Sequence, residues 1–210
     1  MADQVGIVNM ALGHLGDLTK VKRLASFTRA AAGNNTAHNA ALDFYDEAKS
    51  QMHACVDWAR ARKVKALSVH ADSPVLSGLW TYKYTRPPDC LIFRKVIDDS
   101  GTEYEWEPII EERITGSQTY NDEYIYCNEP DVLGWYTVLI GEDLYMPGMA
   151  ELHSLILAQK LAMTVTAKID VRLALTRELQ ARVERLCGAM GNKEGYVENE
   201  AGSNAYTELM

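Results

Sequence analysis

Long apolar runs, closely spaced cysteines and an excess of basic residues are all missing from this sequence, and each absence closes off a class of protein. No stretch of roughly 18 apolar residues occurs, so no segment reads as a membrane-crossing helix. The opening residues Met1 to Val5 carry no basic stretch ahead of an apolar one, so secretion by a signal peptide is not expected. Cysteine is sparse: Cys55, Cys90, Cys127 and Cys187 are the only four, too scattered for a disulfide framework or a C-x-x-C metal knuckle, and a reducing cytoplasm is the expected setting. Basic residues are outnumbered, 21 against 29 acidic ones for a net charge of -8, which opposes non-specific nucleic-acid binding through phosphate neutralisation. The G-x-x-x-x-G-K-[ST], G-x-S-x-G and H-E-x-x-H patterns are absent too, and with them the common signatures of phosphate binding, acyl transfer and zinc hydrolysis.

What is present argues for a folded chain. The hydrophobic fraction is 47% against 24% charged, enough apolar surface to offset the entropy of ordering, and 210 residues suffice for one sizeable core or a helical layer carrying a smaller sheet domain. Val5, Val8, Leu12 and Leu15 recur at steps of three and four, which predicts a short helix with Asp3 as its N-cap and Gly16 as its stop. Residues 17–35 lose that period, gather Lys20, Lys22, Arg23 and Arg29, and read as a loop. Ala41, Tyr45, Ala48, Met52, Cys55 and Ala59 then form one helical stripe, predicting a long helix over residues 36–62 capped by Asn35 or Thr36.

From Trp80 to Tyr145 the texture becomes that of short strands. Tyr82 and Tyr84 alternate with polar neighbours, residues 91–97 are rich in β-branched side chains, and Tyr104 and Trp106 alternate with Glu103, Glu105 and Glu107. Asp98, Asp99, Ser100 and Gly101 form a hairpin turn, and residues 124–127 and 135–140 supply further strands of an antiparallel sheet. Helical spacing returns with Leu152, Leu155, Ile156, Ala162, Met163 and Val165, resumes with Leu175, Leu179, Val183 and Leu186, and is expected to end at Gly188 and Gly191. Residues 192–210 have almost no apolar repeat and read as a flexible tail.

None of the residues that could carry chemistry forms a convincing set. His53 and Cys55 lie two apart on a predicted helix and diverge by roughly 200° around its axis, so they do not readily share an ion, and Cys55 belongs to the apolar stripe. Glu111 with Glu112, and the string Glu103, Glu105, Glu107, read as the wet face of a strand rather than an acid and base pair. Gly13 and Gly16 lack the preceding strand and third glycine of a dinucleotide site. Arg60, Arg62, Lys63 and Lys65 follow the long helix, either complementing its C-terminal dipole or meeting an acidic partner. No catalytic, cofactor or metal residue is assigned.

Four segments in this order resemble the tail tubular protein A and head-to-tail adaptor family of tailed phages: residues 7–16; Tyr45 with Asp46 running on to Trp58 and its basic neighbours; Trp80 through Tyr84 followed by Pro88, Asp89, Cys90 and Leu91; and Tyr124 with Tyr126 followed by the return helix from Met149. The resemblance spans roughly residues 5–190, with Tyr45, Trp58, Trp80, Tyr84, Asp89, Cys90 and Leu91 as its signature positions, and it departs at residues 130–147, where a shorter link is expected. It implies an α+β protein: a mainly α-helical bundle from residues 1–69 and 149–191, a small antiparallel β-domain at 70–148 inserted between the helices, and the flexible tail at 192–210.

It further implies a virion structural protein without enzymatic activity, made in the host cytoplasm. As a homo-oligomeric ring, usually a dodecamer, it would sit between the portal protein and the tail tube, nozzle or next neck protein, with DNA passing through the lumen unbound. Tyr206, Leu209 and Met210 would anchor a portal-docking arm, although a plain disordered terminus explains the tail equally well. Two other classes stand against this reading. A virion-associated enzyme with an unrecognised site would be revealed by bound metal or cell-wall lysis, and a packaging or nucleic-acid module by a salt-sensitive shift of DNA.

Overall fold

The computed structural model describes residues 3–15, 28, 36–115 and 118–200, and it divides into a helical unit within Met1–Arg60 and Ile140–Met210 and a sheet unit, Ala61–Leu139. In the helical unit, α1 (Gln4–His14) starts at Asp3, whose carboxylate accepts the Gly6 N–H at 2.6 Å, the expected cap. Its expected stop, Gly16, and the loop over 17–35 lie outside the described residues, Thr28 excepted. Helix α2 (Thr36–Cys55) buries Ala41, Tyr45, Ala48 and Met52, the stripe expected of it. Helix α3 (Met149–Val165) is apolar around much of its circumference, with Leu152, Leu155, Ile156, Leu157, Ala158, Leu161 and Ala162 all at most 1% exposed. Such a helix must be surrounded, and α1, α2 and α4 (Ile169–Glu200) all pack on it.

Two helix ends differ from expectation. Helix α2 stops at Cys55 rather than near 62, because the buried Trp58 turns back and its indole N–H donates to the Met52 carbonyl at 3.0 Å, taking a last-turn acceptor that has no partner within the helix. Helix α4 passes both Gly188 and Gly191, so residues 192–200, expected as flexible tail, are helical; Tyr206, Leu209 and Met210 lie outside the described residues.

The sheet unit overturns the expectation of a mainly helical bundle with a small β-domain. The chain is 46% helical and 25% strand, with two antiparallel sheets beside four helices among the described residues. One sheet has the order β1 (Arg62–Ala66), β7 (Leu133–Thr137), β3 (Ile92–Ile97), β4 (Glu103–Tyr104). The other runs β2 (Tyr82–Thr85), β6 (Gln118–Cys127), β5 (Trp106–Thr115). The physical reason is a core of its own. Tyr84, Ile125 and Cys127 from the three-stranded sheet meet Phe93, Val96 and Tyr136 from the four-stranded one, with Leu67 and Val132 completing the cluster. Phe93 packs edge-on against Trp106 and stacks with Tyr136.

Strand β1 lies ahead of the 70–148 span expected for the β-domain, and three of the four basic residues placed at the end of the long helix are its residues, Arg62, Lys63 and Lys65, while Arg60 sits in the 3-10 turn Ala59–Ala61. The turn at 98–101 is as expected, with Gly101 at φ 85° and the Asp98 carboxylate accepting the Ser100 and Thr102 N–H groups, both at 2.8 Å. Gly134 is required for a different reason. A Cβ on it would stand 2.6 Å from Leu67 Cδ2 and 2.8 Å from Phe93 Cε2, inside the shared core. Gly134→Ala is therefore expected to destabilise the protein by roughly 1–3 kcal/mol, seen as an earlier urea midpoint; an unmoved midpoint would mean that the core yields freely there.

Candidate functional site

Two places gather interacting polar side chains, one in each unit, the first half-buried and the second more open to water. In the helical unit the centre is Glu142, in the 3-10 turn Glu142–Leu144 that precedes α3. Its carboxylate accepts from the Tyr45 hydroxyl and from Lys49 Nζ, each at 3.0 Å. Burial alone would raise the Glu142 pKa, but the hydrogen bond and charge of Lys49 keep it below the ordinary value. Two buried histidines flank this carboxylate, and their partners assign their tautomers. His153 Nε2 must donate to the Tyr45 carbonyl (3.3 Å), leaving Nδ1 to accept the Tyr145 hydroxyl (3.1 Å). His53 Nδ1 donates to the Lys49 carbonyl (2.8 Å) while Nε2 accepts the Ile140 N–H at 3.4 Å. Protonating His53 would set its Nε2–H against the Ile140 N–H, a donor against a donor, and protonating His153 would put a charge where the ring is fully buried.

In the sheet unit the centre is the turn between β2 and β3. Cys90 N–H donates to the Pro87 carbonyl at 3.0 Å and Leu91 N–H to the Thr137 carbonyl at 2.9 Å. Arg86 folds over the turn, donating to the carbonyls of Cys90 (3.0 Å) and Leu91 (2.9 Å) and pairing with Glu123. Asp89 pairs with Lys63 and accepts the Tyr136 hydroxyl at 3.1 Å, and the Lys63 hydrogen bond leads in holding its pKa below the carboxylate range. Beside the turn opens a cleft of about 570 Å³, lined by His70, Thr85, Arg86, Cys90, Asn121 and Glu123 among others. Burial raises the Cys90 pKa, the opposite of what an activated thiolate nucleophile needs. On the other face of the three-stranded sheet the buried Lys83 bonds Glu111 at 2.6 Å and lies 3.8 Å from the centre of the Tyr124 ring.

The signature positions of the resemblance do not converge on one place. Tyr45 and Trp58 are core residues of the helical unit, whereas Trp80 packs with Tyr124 and Tyr126, and Tyr84 sits in the inter-sheet core, donating to the Glu129 carbonyl at 2.7 Å. Asp89, Cys90 and Leu91 share the turn just described. Every one of them holds backbone or core in position. The sequence leaves no periodic trace of Lys83, Glu142 and His153, which draw on partners in distant segments, or of Arg86, which joins the nearby Cys90 and Leu91 carbonyls to the distant Glu123. His53 and Cys55 do part company as expected: His53 is buried, whereas Cys55 is half-buried and its carbonyl accepts from the Cys187 thiol at 3.8 Å. Among the described residues no group of three or more His, Cys, Asp or Glu could hold a metal ion, and no helix is long and apolar enough to cross a membrane.

The two histidines make stability depend on pH. Burial lowers the His153 pKa from 6.5 to about 4, and burial also lowers that of His53. As pH falls the unfolded chain takes up these protons first, so stability is full above pH 6.5 and declines between 6.5 and about 4. His153 accounts for roughly 3 kcal/mol of that loss. Urea midpoints measured across this window should fall for the native chain and stay flatter for His153→Gln, which keeps a donor and an acceptor; parallel profiles would refute the assignment. No protein-family model matches the chain, and no curated protein matches it significantly.

Proposed function

We propose that this chain is a structural protein of the virion neck, a head-to-tail adaptor that forms a ring between portal and tail through which DNA passes. The observation that carries the reading is the order of four segments similar to those of tail tubular protein A and the head-to-tail adaptors, above all the aromatic strand leading into Pro88, Asp89, Cys90 and Leu91. Two further features support it. The side chains at the signature positions anchor core and backbone, the role expected in a protein whose work is to hold shape under load. The net charge of -8 suits a lumen along which DNA slides, since no phosphate is neutralised and no counterion released.

Purified chain mixed with its portal should co-migrate on sizing and appear by electron microscopy as a ring on the portal's tail-facing side. Failure to co-assemble would sink the reading. In the same assay a chain ending at Gly191 should lose roughly tenfold or more in portal affinity if Tyr206, Leu209 and Met210 anchor the docking arm. Unchanged affinity would exclude them.

A further inference from the structure

The two sheets have four edges between them, and the chain treats them unequally. Strand β2 is covered by its own preceding segment: Val69 bridges Tyr84, the His70 N–H donates to the Lys83 carbonyl at 2.7 Å, and the Thr85 N–H to the Ser68 carbonyl at 3.0 Å. Strand β4 is only two residues long. The other two edges, β1 with five residues and β5 with ten, have no strand beside them among the described residues, and most of their side chains are exposed. An open edge presents unpaired N–H and C=O groups, a template for another strand.

These two open edges carry opposite charge. Strand β1 holds Arg62, Lys63 and Lys65 and no acid; β5 holds Glu107, Glu111 and Glu112 against a single Arg113. Much of this charge is already used, Lys63 by Asp89, Glu111 by Lys83 and Arg113 by Asp122. Left without an ion-pair partner among the described residues are Lys65 on one edge and Glu107 and Glu112 on the other, all exposed. Charged side chains on an edge also discourage indiscriminate pairing, but a set of one sign on one edge and the other sign on the second discourages like edges and favours unlike ones.

Strand β5 extends the argument. Strand β2 reaches only residues 124–127 of β6, so from the Ile110↔Glu123 pair to the Thr115↔Gln118 pair β5 and β6 run on as a two-stranded ribbon. A ribbon of two strands is marginal in water, and Ile110 on it is 68% exposed. Pro108 cannot donate to a ladder and so lies with its nitrogen toward the open edge. Ladder alternation then turns the backbone groups of Ile110 and Glu112 outward as well.

We infer that the open β5 edge of one copy pairs with the open β1 edge of the next, acidic ribbon against basic strand. The occupant of each edge is thus a second copy of this chain. Such a contact joins two different surfaces, head to tail, and closes into a ring when its rotation allows. The inference rests on the ring reading above and names the surface that would build it.

Two charge-reversed variants test it. Lys65→Glu turns the unmatched charge of the β1 edge acidic like that of β5, and Glu107→Lys with Glu112→Lys turns the unmatched charge of the β5 edge basic like that of β1; unchanged thermal melts and circular dichroism verify that each variant folds. Sedimentation velocity over a concentration series should show wild-type assembly, with each variant alone roughly tenfold weaker or worse. An equimolar mixture of the two variants should recover assembly, because acidic and basic copies alternate and every contact becomes complementary again. Wild-type assembly that both variants match alone would overturn the edge contact while leaving the ring reading intact. A wild-type chain that stays monomeric throughout the series would overturn the contact as a self-association surface, and the portal experiment would then decide the neck reading separately. Variants that weaken but are not rescued by mixing would also overturn it.

Discussion

A phenol hydroxyl withdrawn from water and left without a partner costs about 1–3 kcal/mol. Five tyrosines at or near the cores set their hydroxyls on partners that trace much of the tertiary structure. Tyr45 reaches Glu142, 97 residues away, and so fixes the returning segment on α2. Tyr84 holds the Glu129 carbonyl, and Tyr136 holds Asp89. Tyr126 bonds Glu111 across the β5 and β6 pair and also accepts the Val75 N–H at 3.0 Å, tying down the segment that covers its face of the sheet. Tyr145 donates to the Nδ1 of His153 that the Tyr45 carbonyl leaves unprotonated. In each case an apolar ring supplies the burial and one polar atom supplies the register.

Such pairings explain what could be read from the chain beforehand and what could not. The apolar faces of α1, α2 and α3 are local patterns, and Val8, Ala41 or Leu155 are buried where their spacing puts them. The end of α2 is set by Trp58, whose indole lands on Met52 only once the chain has turned back, so the stripe through Cys55 and Ala59 ran on past the real stop. Strand β1 has four exposed positions in five and three basic residues, which read as a solvated helix end; it is a strand because β7, some seventy residues later, offers it a ladder. The Lys83 and Glu111 pair and the His153 site draw on distant segments, and no periodicity can foreshadow them.

The larger misjudgement concerned proportion. Short strands between residues 80 and 145 suggested a small sheet leaning on helices, since each run is brief and partly polar. Two sheets instead face one another and share a core rich in aromatic side chains, in which Tyr84, Phe93 and Tyr136 fill the space that an aliphatic core would need more strands to fill. The departure at 130–147 belongs to this arrangement: Leu133–Thr137 is β7, the strand between β1 and β3. What looked like an insertion into a link is an inner strand of the four-stranded sheet.

One consequence concerns the order in which the protein takes shape as it is made. The sheet unit is a single uninterrupted stretch, Ala61–Leu139, whereas the helical unit is split, its first part before residue 61 and its remainder after 139. At a synthesis rate of about 5–20 residues per second, α1 and α2 leave the ribosome several seconds before α3, the helix that must cover their apolar faces. The sheet unit can complete its core in that interval, because all seven of its strands are already present. Folding during synthesis therefore runs from the middle outward: the sheets close first, and the earliest helices wait, exposed, for the last ones.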